Sequence, residues 1–263
     1  MTQPQASLGS RLGVLLYGLV CYLVFFGTFL YALGFVGNFG VPKSIDAAPS
    51  EPFARALAID LGLLGLFAVQ HSVMARRGFK RRLTRLIPSA AERSTYVLFS
   101  SLALLFLFWQ WRPLGGVVWQ AEHPLAVTLS FAGFAFGWLL VLVSTFFINH
   151  FDLFGLRQVW LYFRGRAYEP LSFVTPGPYK VVRHPLYLGW LFAFWLTPTM
   201  TVTHLVFALV TTAYILFAIR LEERDLVHAH GADYVAYAAR TPMLVPRLSA
   251  PSEAPNESAP QRV

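Results

Sequence analysis

The stretch from Arg183 to Trp190, RHPLYLGW, and the stretch from Arg220 to Asp225, RLEERD, decide the fold of this chain. The sequence between them is mostly apolar and is interrupted by a Thr-Pro-Thr turn at 197–199. It predicts a hairpin whose two arms are each close to, or shorter than, the roughly 20 residues that cross a bilayer. A hairpin that crosses and returns brings both charged stretches to the same membrane face. A cation pair there opposes a carboxylate pair, which suits a ligand with an ammonium, a carboxylate and hydroxyl groups.

The composition of the whole chain indicates a membrane protein. Of 263 residues, 56% are hydrophobic and 13% are charged, whereas about 25% charged residues is usual in soluble domains. The formal net charge of +8 comes from cations that flank apolar runs, so the composition does not indicate nucleic-acid binding. The single cysteine, Cys21, excludes an intramolecular disulfide. We predict one transmembrane domain over residues 1–248 and a disordered, Pro/Ser/Glu-rich tail at 249–263.

Long apolar runs predict an all-α, polytopic helical bundle with about six transmembrane helices. Four runs precede the hairpin, at residues 11–36, 53–75, 94–111 and 124–148. Trp109, Trp111 and Trp119 are typical of an aromatic belt at the membrane interface. All lysines and arginines except Lys43, Arg55 and Arg112 fall on one side of this topology. The positive-inside rule then places both termini and both hairpin motifs in the cytoplasm, as a multi-pass protein of a bacterial inner membrane.

The Arg183-His184-Pro185-x-Tyr187 motif has two interpretations. Pro185 fits the first position of a helix, where Arg183 and Tyr187 are typical interfacial anchors. Alternatively, the free N–H groups of the helix N-terminus bind a carboxylate, with Arg183 or His184 reinforcing the contact. Gly189, one turn into the helix, would then allow close approach of a ligand to the backbone.

The carboxylate pair is open to the same two interpretations. Glu222 and Glu223 can lie on a solvated helix end, although acids disfavour a helix C-terminus unless a cation is bound there. The two residues point about 100° apart around a helix, so we expect only one of them to contact a ligand. The sequence does not decide which.

Taken together, the two motifs resemble the C-terminal core of the integral-membrane methyltransferases typified by isoprenylcysteine carboxyl methyltransferase. In that family they enclose S-adenosylmethionine, and the resemblance to the branch that methylates methanethiol to dimethyl sulfide covers nearly the whole chain. It implies an S-adenosylmethionine-dependent enzyme whose cofactor core spans about 150–248, with Tyr234, Tyr237, Pro242 and Pro246 in a C-terminal cap. The cofactor-binding residues implied are Tyr179, Arg183, His184, Pro185, Tyr187, Leu188, Gly189, Glu222 and Glu223.

The acceptor side is expected in the segment after the fourth span. A thiolate is the nucleophile, and small alkyl thiols are mostly protonated near neutral pH, so a group must take the proton. His150 and Asp152 are the candidate bases, and Arg157 is a candidate for stabilising the thiolate. Ordinary polar capping of a helix end is the alternative. The expected substrate-binding residues are Gln70, His71, Asn149 and Gln158, although Gln70 and His71 also fit a satisfied interior polar pair.

Three other functions remain possible from the sequence alone. The same core can methylate a lipid-like acceptor, either an isoprenylcysteine carboxylate or a phospholipid amine. A non-enzymatic membrane protein similar to NnrU shares parts of the pattern, but the complete motif pair argues against it. A reductase that uses NADPH would need a basic cluster for the 2′-phosphate, which the sequence does not clearly offer. The histidine spacing does not predict a metal site, and the mechanism requires none.

Overall fold

A computed structural model describes residues 7–246 of the chain, so the predicted tail at 249–263 lies outside the described residues. In this part the chain forms α-helices and one pair of short strands. The elements are α1 (Leu8–Gly37), α2 (Phe53–Ala75), α3 (Arg77–Leu83), α4 (Glu92–Gln110), β1 (Val117–Gln120), α5 (Pro124–Phe147), α6 (His150–Leu153), α7 (Leu156–Phe163), α8 (Pro185–Trp195), β2 (Thr199–Thr201), α9 (Val202–His230) and α10 (Ala232–Arg240). Short 3₁₀ turns lie at Ser89–Ala91 and Gly177–Lys180.

Within residues 7–246, five helices are long and apolar enough to cross a membrane: α1, α2, α4, α5 and α9. They confirm the predicted all-α, multi-pass fold, with ends within three residues of the predicted bounds for the first four spans. Large apolar side chains on their outer faces, such as Leu16, Leu23 and Leu30 of α1, are exposed. Bilayer lipid is the medium in which such surfaces are stable.

The first arm of the hairpin is shorter than a spanning helix. Helix α8 has 11 residues and covers about 16 Å. The chain then turns at Leu196, where the Thr197 N–H donates to the Trp195 carbonyl at 3.2 Å, and leads through Pro198 into β2. Helix α8 covers about half of the roughly 30 Å thickness of the hydrocarbon core, and the segment 196–201 continues beyond it. The chain therefore still reaches the opposite end of the bundle, where β2 pairs antiparallel with β1.

The end of the bundle that holds β1 and β2 is tied by long-range polar contacts. Trp111 donates from Nε1 to the Ile45 carbonyl at 3.1 Å and is fully buried. This corrects the prediction of an interfacial position for Trp111, whereas Trp109 and Trp119 are exposed. Inside the bundle the core cluster includes Phe35, Phe108, Trp111, Phe134, Trp138 and Ala193.

Helices α5 and α8 are in backbone contact. A Cβ atom built on Gly189 would lie 2.7 Å from the Gly137 carbonyl oxygen, and one on Gly137 would lie 2.6 Å from the Ala193 nitrogen. Both positions therefore require glycine. The close approach at Gly189 is to helix α5, and a ligand contact at this glycine stays a prediction.

The other end of the bundle, which we call the basic end, holds the charged segments. Arg76 pairs with Asp225 at 3.3 Å between Nη1 and Oδ2, which joins the ends of α2 and α9. Arg183 pairs with Glu223 across the hairpin. The two hairpin motifs therefore meet at one end of the bundle, as the sequence predicts.

Candidate active site at the basic end

Arg183 fastens three segments together. Its Nε donates to Glu223 Oε1 at 2.7 Å, and its Nη1 donates to the carbonyls of Ala238 and Thr241 at 2.9 and 2.6 Å. The backbone N–H of Arg183 also donates to the Pro242 carbonyl at 2.8 Å. The guanidinium thus holds the start of α8, the end of α9 and the end of α10 in register. This differs from the expectation that Arg183 reinforces a ligand contact, because these donors already have protein partners.

His184 lies at the N-terminus of α8 and is buried. Its Nε2 lies 3.1 Å from Glu223 Oε1, and its Nδ1 lies 4.0 Å from Glu222 Oε2. The backbone N–H of His184 donates to the Met243 carbonyl, so the segment after α10 packs against this motif. Pro185 then begins the helix, as predicted. His184 is therefore within hydrogen-bond distance of Glu223 and lies near Glu222.

Glu222 and Glu223 have different surroundings. Glu223 is 25% exposed and is held by Arg183 and His184, whereas Glu222 is 46% exposed. The Tyr187 side chain faces the Glu222 carboxylate. Glu223 is therefore a structural partner of the motif, and Glu222 is the carboxylate that remains available to a ligand.

Tyrosines surround this pair of carboxylates. Burial raises the pKa of Tyr179, and the negative charge of nearby Glu222 raises it further. Burial likewise raises the pKa of Tyr237 to about 12, and its hydroxyl donates to the Tyr179 carbonyl at 2.6 Å. Helix α10 thus covers the segment that leads into α8, in the position expected of the C-terminal cap. These tyrosines are neutral at physiological pH and present hydroxyl groups and ring faces.

Polar groups at this site fit a ligand of the kind that the motifs predict. The N-terminus of α8 has no side-chain cap in the described structure, so its first N–H groups are available to a carboxylate. Glu222 suits an ammonium or ribose hydroxyls. The buried Tyr234 hydroxyl has no hydrogen-bond partner within residues 7–246, and other atoms of Tyr234 line, with Glu223, an open groove of about 450 Å³ that Glu222 does not line. S-adenosylmethionine carries a carboxylate, an ammonium and ribose hydroxyls, so it is chemically compatible with these protein groups.

Leu188 is partly buried and packs against the apolar cluster of Ile215, Ile219 and Leu244. This contact joins α8 to α9. The cofactor contacts of Leu188 and Gly189 stay predictions.

Gln70 and His71 lie on α2 and connect to the same end of the bundle. His71 contacts Tyr96 of α4, with 2.8 Å between Nε2 and the hydroxyl, and its Nδ1 lies 3.1 Å from Ser100 Oγ. The side-chain oxygen of Gln70 is enclosed and has no partner in the described structure, while its nitrogen contacts Met74 Sδ. Both residues face the interior, which fits each of the two predictions made for them.

The segment 149–158 forms a second polar cluster, which we call the α6–α7 knot: Asn149, His150, Asp152, Arg157 and Gln158. Arg157 Nη1 donates to Asp152 Oδ1 at 2.8 Å and to the Glu169 carbonyl at 3.1 Å. Asn149 adopts a left-handed conformation and caps α6 by accepting from Asp152 N. Gln158 donates to the Asp152 carbonyl. These contacts match the alternative of ordinary polar capping.

His150 is buried within the knot, and both of its ring nitrogens have partners. Thr145 Oγ1 donates to the Leu142 carbonyl at 2.6 Å, so it accepts from His150 Nδ1 at 2.8 Å. His150 Nε2 then accepts from the Tyr22 hydroxyl at 2.8 Å. Burial lowers the pKa of His150, which keeps the ring neutral. The nitrogen that a base would use is therefore occupied by Tyr22.

The sequence pattern did not reveal Tyr96 and Tyr214. The Tyr214 hydroxyl contacts Ser72 Oγ at 3.0 Å, next to His71. Tyr96 lies in electrostatic range of Tyr214 and Glu222. Each tyrosine sits within two turns of a cation at the basic end of its span, Arg93 or Arg220, which was the available signal.

A multi-pass helical protein with this motif pair at one end has the features of an integral-membrane methyltransferase. The sequence profile of the isoprenylcysteine carboxyl methyltransferase (ICMT) family matches residues 152–228, which contain the hairpin and three members of the knot, Asp152, Arg157 and Gln158. The protein is therefore an enzyme of the methyltransferase class. No solved structure matches the chain at a significant level.

Curated relatives narrow the class. Methanethiol S-methyltransferase of Crocosphaera subtropica is 59% identical over 237 residues, covering 90% of this chain and 93% of that protein. Methanethiol S-methyltransferase of Mycobacterium tuberculosis is 51% identical over 232 residues, with coverages of 88% and 95%. Nurim of Rattus norvegicus is 32% identical over 226 residues, with coverages of 81% and 86%. The chain belongs to the family of the methanethiol S-methyltransferases.

Proposed function

We propose that this enzyme transfers a methyl group from S-adenosylmethionine to methanethiol and forms dimethyl sulfide at the cytoplasmic side of a bacterial inner membrane. The observation that carries the proposal is the Glu222 carboxylate, left exposed beside His184 while Glu223 is paired with Arg183. The names of the methanethiol S-methyltransferases, which align with nearly the whole chain, support the acceptor.

The donor would be held at the basic end of the hairpin. The N–H groups at the start of α8 would bind the methionyl carboxylate, and Glu222 would bind the ammonium or the ribose hydroxyls. Tyr179 and Tyr187 would form the wall beside Glu222. S-adenosylmethionine supplies a methyl group on a positively charged sulfur, which a thiolate can displace. The contribution of the protein is then to align a deprotonated acceptor with that methyl group.

Proton removal by Asp152 or His150, with Arg157 stabilising the thiolate, stays a prediction. In the structure the carboxylate of Asp152 contacts Arg157 and Tyr168, and both nitrogens of His150 contact hydroxyls. Asn149 and Gln158 serve as caps of the same segment. A different proton acceptor, on helices α2 and α4, is considered below.

Purified protein with labelled S-adenosylmethionine and a panel of thiols tests the proposal, with headspace detection of volatile products. We expect methanethiol to be converted to dimethyl sulfide. The Glu222→Gln variant, which keeps the side-chain shape, is expected to need a higher donor concentration. Label transfer to a phospholipid amine or an isoprenylcysteine, with none to any thiol, would contradict the thiol assignment and favour a lipid-like acceptor.

Cysteine accessibility in intact cells tests the orientation. In a Cys21→Ala background, Leu86→Cys lies in the loop between α3 and α4, and Val118→Cys lies in β1 at the other end. Both native side chains are exposed. A membrane-impermeant thiol reagent is expected to label position 118 from outside and position 86 only after lysis. Labelling of position 86 in unbroken cells would reverse the topology.

A further inference from the structure

We infer that His71 and Tyr96 form the proton relay for the acceptor thiol, an inference that rests on the proposed function. Tyr96 accepts the thiol proton as its own hydroxyl proton passes to His71. This gives the proposed reaction a base on helices α2 and α4, outside the ICMT family match at residues 152–228.

The geometry of His71 and Tyr96 permits proton transfer between the Tyr96 oxygen and a His71 nitrogen. The Tyr96 hydroxyl lies 2.8 Å from His71 Nε2 and 3.2 Å from Nδ1, so it contacts the imidazole beside both nitrogens and is closer to Nε2. On the other side of the imidazole, Ser100 Oγ lies 3.1 Å from Nδ1. Phe67 stacks on the imidazole with 5.2 Å between ring centroids, which fixes the ring plane. With Nδ1–H directed at Ser100, Nε2 accepts from Tyr96 and is the nitrogen that receives a proton.

The pair also lies near the hairpin, because Tyr214 of α9 contacts two neighbours of His71 on α2: Ser72 at 3.0 Å between hydroxyl oxygens and Phe67 at 6.3 Å between ring centroids. Tyr96 is in electrostatic range of Glu222 and Tyr187, the carboxylate and ring beside the start of α8. Four helices, α2, α4, α8 and α9, thus contribute side chains to one continuous polar region at the basic end. The titratable and charged groups in electrostatic range of the pair are Glu92 and Arg93 of α4, Tyr187 of α8, and Tyr214 and Glu222 of α9.

The proton and electron balance is that of an in-line displacement. The S–H bond of the thiol breaks, its proton goes to the Tyr96 oxygen, and the Tyr96 proton goes to His71 Nε2. The electron pair stays on the thiol sulfur and forms the new bond to the methyl carbon. The bond from that carbon to the donor sulfur breaks with its electron pair left on the donor, which becomes neutral. His71 then releases the proton to solvent, so no further reactant is needed.

The relay differs from the α6–α7 knot in the surroundings of its tyrosine. Tyr22 contacts His150 Nε2 and lies among aromatic rings, with Phe25 and Phe154 within 6.4 Å between ring centroids. Tyr96 instead lies in electrostatic range of Glu222, an exposed carboxylate on the hairpin. The enclosed oxygen of the neighbouring Gln70 has no protein partner in residues 7–246, so this region also has a vacant acceptor for a polar hydrogen.

His71→Gln and Tyr96→Phe test the relay, because each keeps most of the side-chain volume while removing one proton-carrying group. Turnover with methanethiol at pH 7 is expected to fall by about 10²–10⁴-fold in His71→Gln, the range typical of general-base catalysis. The deficit should shrink as the pH rises toward the pKa of the acceptor, where free thiolate no longer needs a base. It should also shrink for more acidic thiols at fixed pH.

Binding separates the relay from a packing role. Affinity for S-adenosylhomocysteine by calorimetry is expected to stay within about twofold of wild type in both variants, since the lost group acts on the acceptor. His123→Gln, at an exposed histidine on the opposite end of the bundle, is the matched control and is expected to keep the wild-type pH profile. If His71→Gln does not purify in a folded form, Tyr96→Phe carries the same test.

The outcomes are distinguishable. Wild-type protein that methylates no thiol overturns the proposed function and this inference with it. If the wild-type protein methylates a thiol, two results for the variants would overturn the relay alone. One is turnover equal to that of the wild type, and the other is a loss of turnover that is the same at every pH. A deficit that disappears at high pH in both variants, with unchanged S-adenosylhomocysteine affinity, supports it.

Discussion

Two polar clusters at the basic end of the bundle contain the same residue types and differ in how completely these are paired. The α6–α7 knot and the hairpin motifs each bring together a histidine, an arginine and carboxylate groups. In the knot, Arg157 and Tyr168 engage both oxygens of Asp152, and hydroxyls engage both nitrogens of His150. In the hairpin, Glu223 is paired with Arg183 while Glu222 stays exposed beside His184.

The difference shows that residue type alone does not identify a binding site. A charged group with its partners supplied by the protein stabilises a local structure, and its removal leaves other groups unpaired. A charged group that is placed by a rigid neighbour but left open can bind a ligand instead. The sequence does not distinguish Arg183 and Glu223 from the other members of the two motifs. In the structure they pair with each other beside Glu222 and support its position.

Within this comparison, the largest effect is expected on donor binding in Glu222→Gln. Loss of a charge-assisted contact worth about 1.5–3 kcal/mol should weaken S-adenosylmethionine binding by roughly tenfold to a hundredfold. Calorimetry on purified protein measures this, and Asp152→Asn serves as the control from the knot. Unchanged affinity in Glu222→Gln, with a loss in Asp152→Asn, would reverse the roles given to the two clusters.

Arg183→Met tests whether Arg183 supports the site or contacts the ligand directly. It removes the ion pair to Glu223 and the donors to the Ala238 and Thr241 carbonyls. The pair is partly buried, so we expect a loss of about 2 kcal/mol in stability, between the values for exposed and buried pairs. Thermal unfolding in detergent should show a clear decrease in Tm, accompanied by weaker donor binding because the support of Glu222 is lost. A normal Tm with weakened binding would instead indicate direct contact of Arg183 with the ligand.

The sequence predicted the spans and the meeting of the two hairpin motifs because both follow from local patterns, namely apolar run length and a Pro-containing turn. It did not predict the pairing of Val117–Gln120 with Thr199–Thr201, since neither short segment carries a strand pattern by itself. The contact between Gly137 and Gly189 likewise depends on two helices that are distant in sequence. Pairing of Arg183 with Glu223 rather than with Glu222 depends on helix rotation, which the adjacent positions leave open.

Asp152→Asn is expected to act on stability more than on turnover. Loss of the Arg157 ion pair and weakening of the Tyr168 contact should cost about 1 kcal/mol, because both side chains are partly exposed. We expect a Tm decrease of about 2–4 °C for a chain of this size and a turnover within about threefold of wild type at saturating substrates. A pH-dependent loss of 10²-fold or more would restore Asp152 as the general base and remove the need for His71.

The smallest effect concerns His150 and pH. Burial lowers the pKa of His150 in the folded protein below the ordinary value of about 6.5, so the unfolded chain binds the proton more readily. The stability that His150 contributes is therefore present above about pH 6.5 and is lost as the pH falls below it, toward the folded pKa.

His150→Gln removes this titration but can still accept from Tyr22 and donate to Thr145. Tm measured from about pH 7.5 down to pH 5.5 should then fall less steeply in the variant than in wild type. The exposed His123→Gln variant controls for the replacement of a histidine by glutamine outside the knot, at a side chain that caps α5. Equal slopes in His150→Gln and wild type would mean that protonation of His150 costs the fold nothing, and the saturated character assigned to the knot would lose its support.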